Sequence, residues 1–395
     1  MNEWLELYLE HYRAIRRDGL SLSELVQNHI PEQLRPALKD LGMIMLRPDA
    51  VLNGMGPYLL DYLETTYGIV PLALKIVLLT PDRFDALYRL KIHFFADNIW
   101  LHHRVFEQAP CAAFLVAGAP GDAPSLCEHL DTIKGASTPI QGADWQLRTL
   151  GGRQSSFHAV IHTSEDPAAL IYESTLFFSW QTIREALQVV HNHRETGVAL
   201  PAIERSYRNL LLTYEPKEHL TVFAHLLLIK QKILAALLID SPALPENQLK
   251  QLLDHTRAAF LQLQGRSYRE QRDAFIRCVQ AERTPLQELI QRAEEQLPRQ
   301  LGAALAGAQR GCPGGTSQRW GAIDQTLATV LLLYSIWYLS GYEVYEQDSG
   351  TRLFEVLAQH NVPLSPWQQT LVQSGLRGDI NLSARWGNDQ LFPLA

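Results

Sequence analysis

The residues in this chain best placed to do chemistry are His162 and Glu173. The stretch from Ala159 to Phe178, AVIHTSEDPAALIYESTLFF, opens on an apolar run that reads as the end of a buried strand and delivers His162 at a turn. Ser164, Glu165, Asp166 and Pro167 then give a capped helix start, with acidic side chains where the helix dipole favours them. Glu173 follows His162 by eleven residues, about three helical turns less what the turn itself consumes. A carboxylate that returns to a histidine ring holds one tautomer and leaves the other nitrogen free to react. The expected contact is at the Nδ1 edge. A histidine beside a strand end also serves as a hydrogen-bonded structural residue, so this pair alone does not define an active site.

The elements that must position the pair are legible on either side. Met43 to Leu46 reads as a short buried strand ending at Arg47-Pro48-Asp49-Ala50-Val51, and a helix from about Pro57 to Tyr67 stops at Gly68. Ile69 to Leu79 is a second strand, and Cys111 to Ala117 a third. Pro124 to Ile133 is a helix, 135–156 a long loop, and His158 to His162 the fourth strand. Helical patterns cover 81–90 and 93–108 between the second and third strands. This order predicts an α+β fold with a ferredoxin-like antiparallel sheet. Residues 1–40 read as a preceding helical segment. From Gln181 to Ala395 the strand signals stop, and helical patterns cover 181–195, 201–213, 218–240, 246–264, 267–282, 284–306, 322–341 and 351–360, an all-α helical bundle. The domains expected are therefore 1–40, 41–180 and 181–395. The glycine-rich stretch 307–318 lacks the lysine of a phosphate loop and reads as an interhelical linker.

Composition narrows the class. A hydrophobic share of 46% with 19% charged residues is that of a folded globular chain, and a net charge of −7 gives no basic footprint for bulk nucleic acid. The four cysteines, Cys111, Cys127, Cys278 and Cys312, form no C-x-x-C pair, so disulfides and cysteine zinc sites are not expected and a cytoplasmic setting is. The N-terminus has no secretion-signal pattern. The most apolar run is read at Leu327 to Leu339, shorter than the roughly 20 residues a membrane span needs, so no membrane partner is expected. His158 and His162 would share a face if the strand runs through both, which makes a metal pair conceivable, but no third ligand stands nearby in sequence. His102, His103, His191 and His193 read as exposed helical positions.

With these residues on the page, residues about 41–180 resemble the nucleoside diphosphate kinase family. His162-Thr163-Ser164-Glu165-Asp166, with Glu173 and Phe177-Phe178 beyond, is similar to the family's His-Gly-Ser-Asp-Ser signature and the glutamate and aromatic pair that follow it. Arg47-Pro48-Asp49-Ala50-Val51 is similar to its Lys-Pro-Asp-Ala-Val. Tyr88 and Phe94-Phe95 resemble the family's tyrosine and base-packing phenylalanines. Gly135, Ser137 and Pro139 fit its Gly-x-Thr-x-Pro frame, and Arg148 stands where the family has its loop arginine. Three positions depart. The first arginine of that frame is Asp131, the asparagine three before the histidine is Ala159, and the glycine after it is Thr163.

The resemblance implies a nucleotide-dependent phosphotransferase. His162 would form a phosphohistidine from ATP or another nucleoside triphosphate carried with Mg²⁺, and Glu173 would orient its ring. Arg47, Arg148, Ser137 and Ser164 would lie at the phosphates, with Tyr88, Phe94 or Phe95 at the base; no protein-bound metal is implied. The partners implied are the nucleotide, a small-molecule acceptor that the sequence does not name, and a homo-oligomer. Charge reversal at Asp131 predicts weakened general exchange among nucleotides and a specialised acceptor, unless Lys134 or Arg153 substitutes for the lost cation. The alternative is a catalytically weakened nucleotide-binding module whose helical half binds a protein partner.

Overall fold

The computed structural model describes residues 3–17, 19–89, 97–136, 141–201, 220–309, 316–342 and 347–380. The chain divides into two compact units, Met1–His219 and Leu220–Ala395.

The first unit opens with helix α1 (Glu3–His11), a short hairpin of β1 (Arg16–Arg17) and β2 (Leu20–Ser21), helix α2 (Leu22–His29) and a 3₁₀ stretch, Glu32–Asp40. Ser21 and Glu24 close a reciprocal capping box at the start of α2. There follow β3 (Leu41–Leu46), α3 (Pro48–Leu52), α4 (Gly56–Tyr67), β4 (Val70–Val77), α5 (Pro81–Leu87), α6 (Ile99–Glu107) and β5 (Cys111–Ala117). The unit continues with α7 (Leu126–Lys134), α8 (Leu147–Leu150), β6 (Ile161–Thr163), α9 (Pro167–Ser174) and α10 (Trp180–Thr196). The four longer-range strands form one sheet in the order β4-β5-β3-β6, antiparallel at every pairing. This is the ferredoxin-like arrangement, and the fold class is α+β.

Both faces of the sheet are covered, which is why its central strands read as unbroken apolar runs. Leu41, Met43 and Met45 of β3, with Cys111, Ala113, Leu115 and Ala117 of β5, pack into one core with α1, α2, α5, α6, α9 and α10. Ile44 and Leu46, with Ala112, Phe114 and Val116, face a second core with Leu59, Leu60 and Leu63 of α4 and Leu126, Leu130 and Ile133 of α7. The period-2 alternation of a pleated strand sends the neighbours to opposite cores. Gly42 permits the close seat of α7, since a Cβ there would come within 2.6 Å of Leu130.

The domain limits drawn from the sequence at 40/41 and 180/181 do not coincide with this division. α10 buries Ile183, Ala186, Leu187 and Val190 in the same core as the sheet, and so do Leu5, Leu9, Leu22 and Leu25 of the N-terminal helices. The fourth strand is also shorter than expected and starts at Ile161, because Val160 has φ +56°, outside the range of a strand.

The second unit is all-α among the described residues: α11 (Val222–Asp240), α12 (Glu246–Gln262), α13 (Tyr268–Gln309), α14 (Thr316–Leu339), α15 (Gln347–Gln359) and α16 (Pro366–Ser374). Where the sequence predicts a break near 283, α13 runs on through Pro285 and Pro298. Phe275, Val279, Leu286, Leu289, Ile290 and Ala293 are all buried at helical spacing across the first proline. That continuous apolar face offsets the about 3 kcal/mol a proline costs inside a helix. The linker residues 310–315 lie outside the described residues. Two helical stretches, Val222–Asp240 and Ala322–Leu339, are long and apolar enough to cross a membrane by length and composition, and 61% and 50% of those windows are buried within the protein. Val222–Asp240 is the more apolar of the two, where the sequence reading places the most apolar run at Leu327 to Leu339.

Candidate active site

A cavity of about 650 Å³ in the first unit gathers His162, Glu173, Arg47, Tyr88 and Arg148, together with Tyr12, His102, Asp131, Lys134, Gly135, Ala159 and Glu165 among its walls. Five residues singled out in the sequence therefore converge from α3's N-cap, the end of α5, α8, β6 and α9. Phe94, Phe95 and Ser137 lie outside the described residues.

His162 is carried by β6, where it pairs in register with Met45. Its Nε2 lies 3.0 Å from Glu173 Oε2. The same carboxylate oxygen accepts a 2.6 Å hydrogen bond from Ser164 Oγ. The contact is thus at Nε2 and not at the Nδ1 edge expected from the sequence. β6 and α9 approach so that the ring presents its far nitrogen, Nε2, to the carboxylate. Ser164 is fully buried, and its hydroxyl is spent on Glu173. It is not the helix cap, a role taken by Asp166, whose Oδ1 accepts from Ala169 N at 2.8 Å. The ring of Tyr88 meets that of His162 edge-on, with centroids 5.3 Å apart.

The backbone entering β6 is strained and braced. Ile161 N donates to Ala159 O at 2.6 Å across Val160, which makes a γ-turn with positive φ at a β-branched residue. Asp49 holds it: Oδ2 accepts from Val160 N at 2.6 Å, while Arg47 N donates to Val160 O at 2.9 Å. Asp49 is wholly buried, and burial raises its pKa against the opposing pull of Arg47. The Arg47 Nε lies 3.6 Å from Asp49 Oδ1, its Nη2 donates to Phe157 O, and its guanidinium sits 4.6 Å over the ring of Phe106. Arg47 therefore ties the loop before β6 to the end of β3 as well as lining the cavity.

Arg148 and Lys134 line the same cavity. Arg148 donates from Nη1 to Gly135 O at 2.9 Å, and Arg153 Nη2 to Ala136 O at 2.8 Å, so two arginines secure the turn after α7. Gly135 is required there: its φ is +90°, and a Cβ would come within 2.5 Å of Gln146 Oε1. Burial, then the neighbouring Arg47, lowers the Arg148 pKa to about 10. Burial and Arg148 also lower Lys134, while its partner Asp131 pulls the other way. Lys134 Nζ is bonded to Asp131 Oδ1 within the last turn of α7. The charge reversal seen at Asp131 thus arrives already paired.

Two wall residues, Tyr12 and His102, and one residue behind the wall, Asp49, escape the sequence reading. Tyr12, from the segment set apart as 1–40, donates to Asp166 Oδ2 at 2.8 Å, and no local signal marks it. Asp49 stands in the Arg47-Pro48-Asp49-Ala50-Val51 motif, and nothing in the sequence marks its bracing role. His102 reads from the sequence as an exposed helical position. In fact it is buried, with Phe84 at 5.6 Å and Phe157 at 4.8 Å between ring centroids. The signal was present, because His102 stands three and four residues before the apolar Val105 and Phe106. Burial first, then Arg47 and His103, lower its pKa to about 3. His103 is the more open of the two and pairs with Asp85 at 2.8 Å. His158 does not share a strand face with His162; its Nδ1 lies 2.7 Å from Ser155 Oγ, outside the cavity wall. Among the described residues, the one grouping with ligand-like spacing for a metal is His255, Cys278 and Glu282 in the second unit, where Glu282 is already bonded to the Lys230 ammonium.

No protein-family model matches the chain, and no curated protein matches it. Among solved structures, the chain is similar to an NDP kinase from Pyrobaculum aerophilum, with a TM-score of 0.29 and 16% identity over 36% of this chain and 98% of that one. It is also similar to the nucleoside diphosphate kinase of Aquifex aeolicus, with a TM-score of 0.30 and 21% identity over 35% and 95% of the two chains. A nucleoside diphosphate kinase family protein from Babesia bovis gives a TM-score of 0.30 and 20% identity over 44% and 99%. At these TM-scores and identities none of the likenesses speaks to activity.

Proposed function

We propose that the first unit is a nucleotide-dependent phosphotransferase that works through a phosphohistidine at His162. The observation that carries this reading is a histidine in a cation-lined cavity whose Nε2 is held by a carboxylate 3.0 Å away. The lone pair on Nδ1 attacks the γ-phosphorus of a nucleoside triphosphate. The bond to the bridging oxygen breaks, and the diphosphate leaves with that electron pair. As the ring gains positive charge, Nε2–H donates to Glu173, whose geometry Ser164 fixes from the other side. The return step transfers the phosphoryl group from Nδ1 to an acceptor oxygen and restores the neutral ring. Arg47, Arg148 and Lys134 supply the positive field that such a transfer needs. Mg²⁺ would come with the nucleotide, its charge shared among phosphate oxygens. Two of the cavity's three carboxylates are already engaged, Asp131 by Lys134 and Glu173 by His162 and Ser164, which fits a metal carried on the phosphates and not a protein cage.

The acceptor is narrower than the family's, because Ala159 offers no polar side chain in the wall and Asp131 adds a carboxylate to it. Charging the protein with γ-labelled ATP and chasing with a panel of nucleoside diphosphates and small hydroxyl compounds tests this. The reading expects label on wild type, none on His162→Ala, and discharge by few members of the panel. Rapid discharge by every diphosphate would refute the narrow acceptor, and an unlabelled wild type the phosphohistidine. A second reading, a nucleotide-binding module with weakened catalysis, draws on the engagement of Arg47 by Asp49 and Phe157. It expects nucleotide binding without label.

A further inference from the structure

Three cationic side chains, Arg47, Lys134 and Arg148, line the cavity beside His162, and they are not equally committed. Arg47 has a buried carboxylate, Asp49, outside the cavity wall. Arg148 makes its hydrogen bond to a carbonyl, Gly135 O, and no ion pair among the described residues. Lys134 is answered by Asp131, and both members of that pair line the cavity. The two partners differ in exposure: the Lys134 side chain is 8% exposed and that of Asp131 45%. A buried ammonium needs a counter-charge to stay ionised, whereas a half-exposed carboxylate can turn to water at little cost. Asp131 also sits in the last turn of α7, where the helix dipole disfavours an anion and favours the lysine.

We propose that Asp131 is a displaceable internal counter-ion, competing with the phosphate oxygens of a ligand for the Lys134 ammonium and so setting which anions the cavity accepts. This rests on the reading that the cavity takes phosphate, but not on transfer of the phosphoryl group to His162. An incoming anion must outcompete a carboxylate tethered three residues away. A polyphosphate, with several charges spread across Arg47, Arg148 and Lys134 together, can do so. A singly charged anion that reaches only one of them cannot. The pair thereby acts as a threshold on ligand charge, and the ion pair within α7 provides it without any moving lid.

Calorimetric titration of the full-length protein with inorganic tripolyphosphate, at one fixed ionic strength, tests the inference. Asp131→Asn should bind about tenfold tighter than wild type, equivalent to about 1.4 kcal/mol. Lys134→Gln should bind at least about tenfold weaker, and the double variant no tighter than Lys134→Gln, because Asp131 acts through the lysine. Equal or weaker binding by Asp131→Asn overturns the proposal. So does a double variant that regains the full tenfold, since that would be simple removal of charge. If Lys134→Gln fails to fold, Glu165→Gln, which removes a wall carboxylate other than the Lys134 partner, serves as the charge control, and an equal tenfold gain there overturns the proposal. Labelling of His162 is read on the same preparations: tighter binding by Asp131→Asn without label removes the phosphotransfer reading and keeps this one. Label with unchanged binding does the reverse, and absence of tripolyphosphate binding in both proteins overturns this inference whatever the label shows.

Discussion

Replacing Glu173 with glutamine isolates the charge that the site places behind His162. Unit charges 3.0 Å apart, the Nε2 to Oε2 separation, interact by about 5.5 kcal/mol at an effective dielectric of about 20. That is a ceiling, since both charges are delocalised and both side chains are 12% exposed. The amide oxygen of glutamine can still accept from Nε2–H and from Ser164, so a neutral hydrogen bond survives. What is lost is the charge-assisted part, about 1–2 kcal/mol. On the proposed mechanism charge develops on the ring as Nδ1 attacks, so the loss falls on the transition state. The single-turnover rate of labelling from γ-labelled ATP should drop about five- to thirtyfold. Glutamine fills the same volume, so the urea midpoint should move little. A Glu173→Gln protein that labels at the wild-type rate would refute the idea that this carboxylate stabilises a cationic ring.

Three further expectations concern the scaffold. His102 has its pKa lowered to about 3, so the unfolded chain binds the extra proton between about 6.5 and 3 and stability falls as pH drops through that window. The slope is at most about 1.4 kcal/mol per pH unit. Urea unfolding at pH 7 and pH 5 should show His102→Gln with the flatter dependence, and equal slopes would contradict the assignment. Asp49→Ala strips the partner from a buried guanidinium and from Val160 N and should cost about 3–5 kcal/mol in denaturant unfolding. A loss below about 1 kcal/mol would show that the γ-turn does not depend on it. In the second unit, Lys230→Met leaves Glu282 buried with only Thr256 and Cys278 as donors, at a cost of about 3–5 kcal/mol. Adding Glu282→Leu should restore most of that stability, and a double variant as weak as the single one would point to the hydrogen-bond network instead.

The sheet was legible because burial on both faces leaves a plain mark, apolar runs such as Met43 to Leu46 and Cys111 to Ala117. The link between His162 and Glu173 was legible because strand, turn and helix have fixed rises. Which ring nitrogen meets the carboxylate was not, since that depends on how β6 and α9 approach each other in space. Tyr12 reaches the cavity through packing of the N-terminal helices on the sheet, and no local pattern encodes a contact across more than 150 positions, as its 154-residue separation from Asp166 shows. The break expected between 282 and 284 does not occur, because the buried stripe of α13 runs on through Pro285. Val160 gave no sign of positive φ, because a β-branched residue is the last to be suspected of it.

The central claim is that His162 carries the phosphoryl group on the nitrogen turned away from Glu173. Phosphorus-31 nuclear magnetic resonance of the protein after incubation with ATP and Mg²⁺, joined with peptide mapping of the label, addresses it directly. The account predicts a single phosphoramidate on Nδ1 of His162 that is absent from His162→Ala. Label on Nε2, label at another residue, or label that persists in His162→Ala would contradict it.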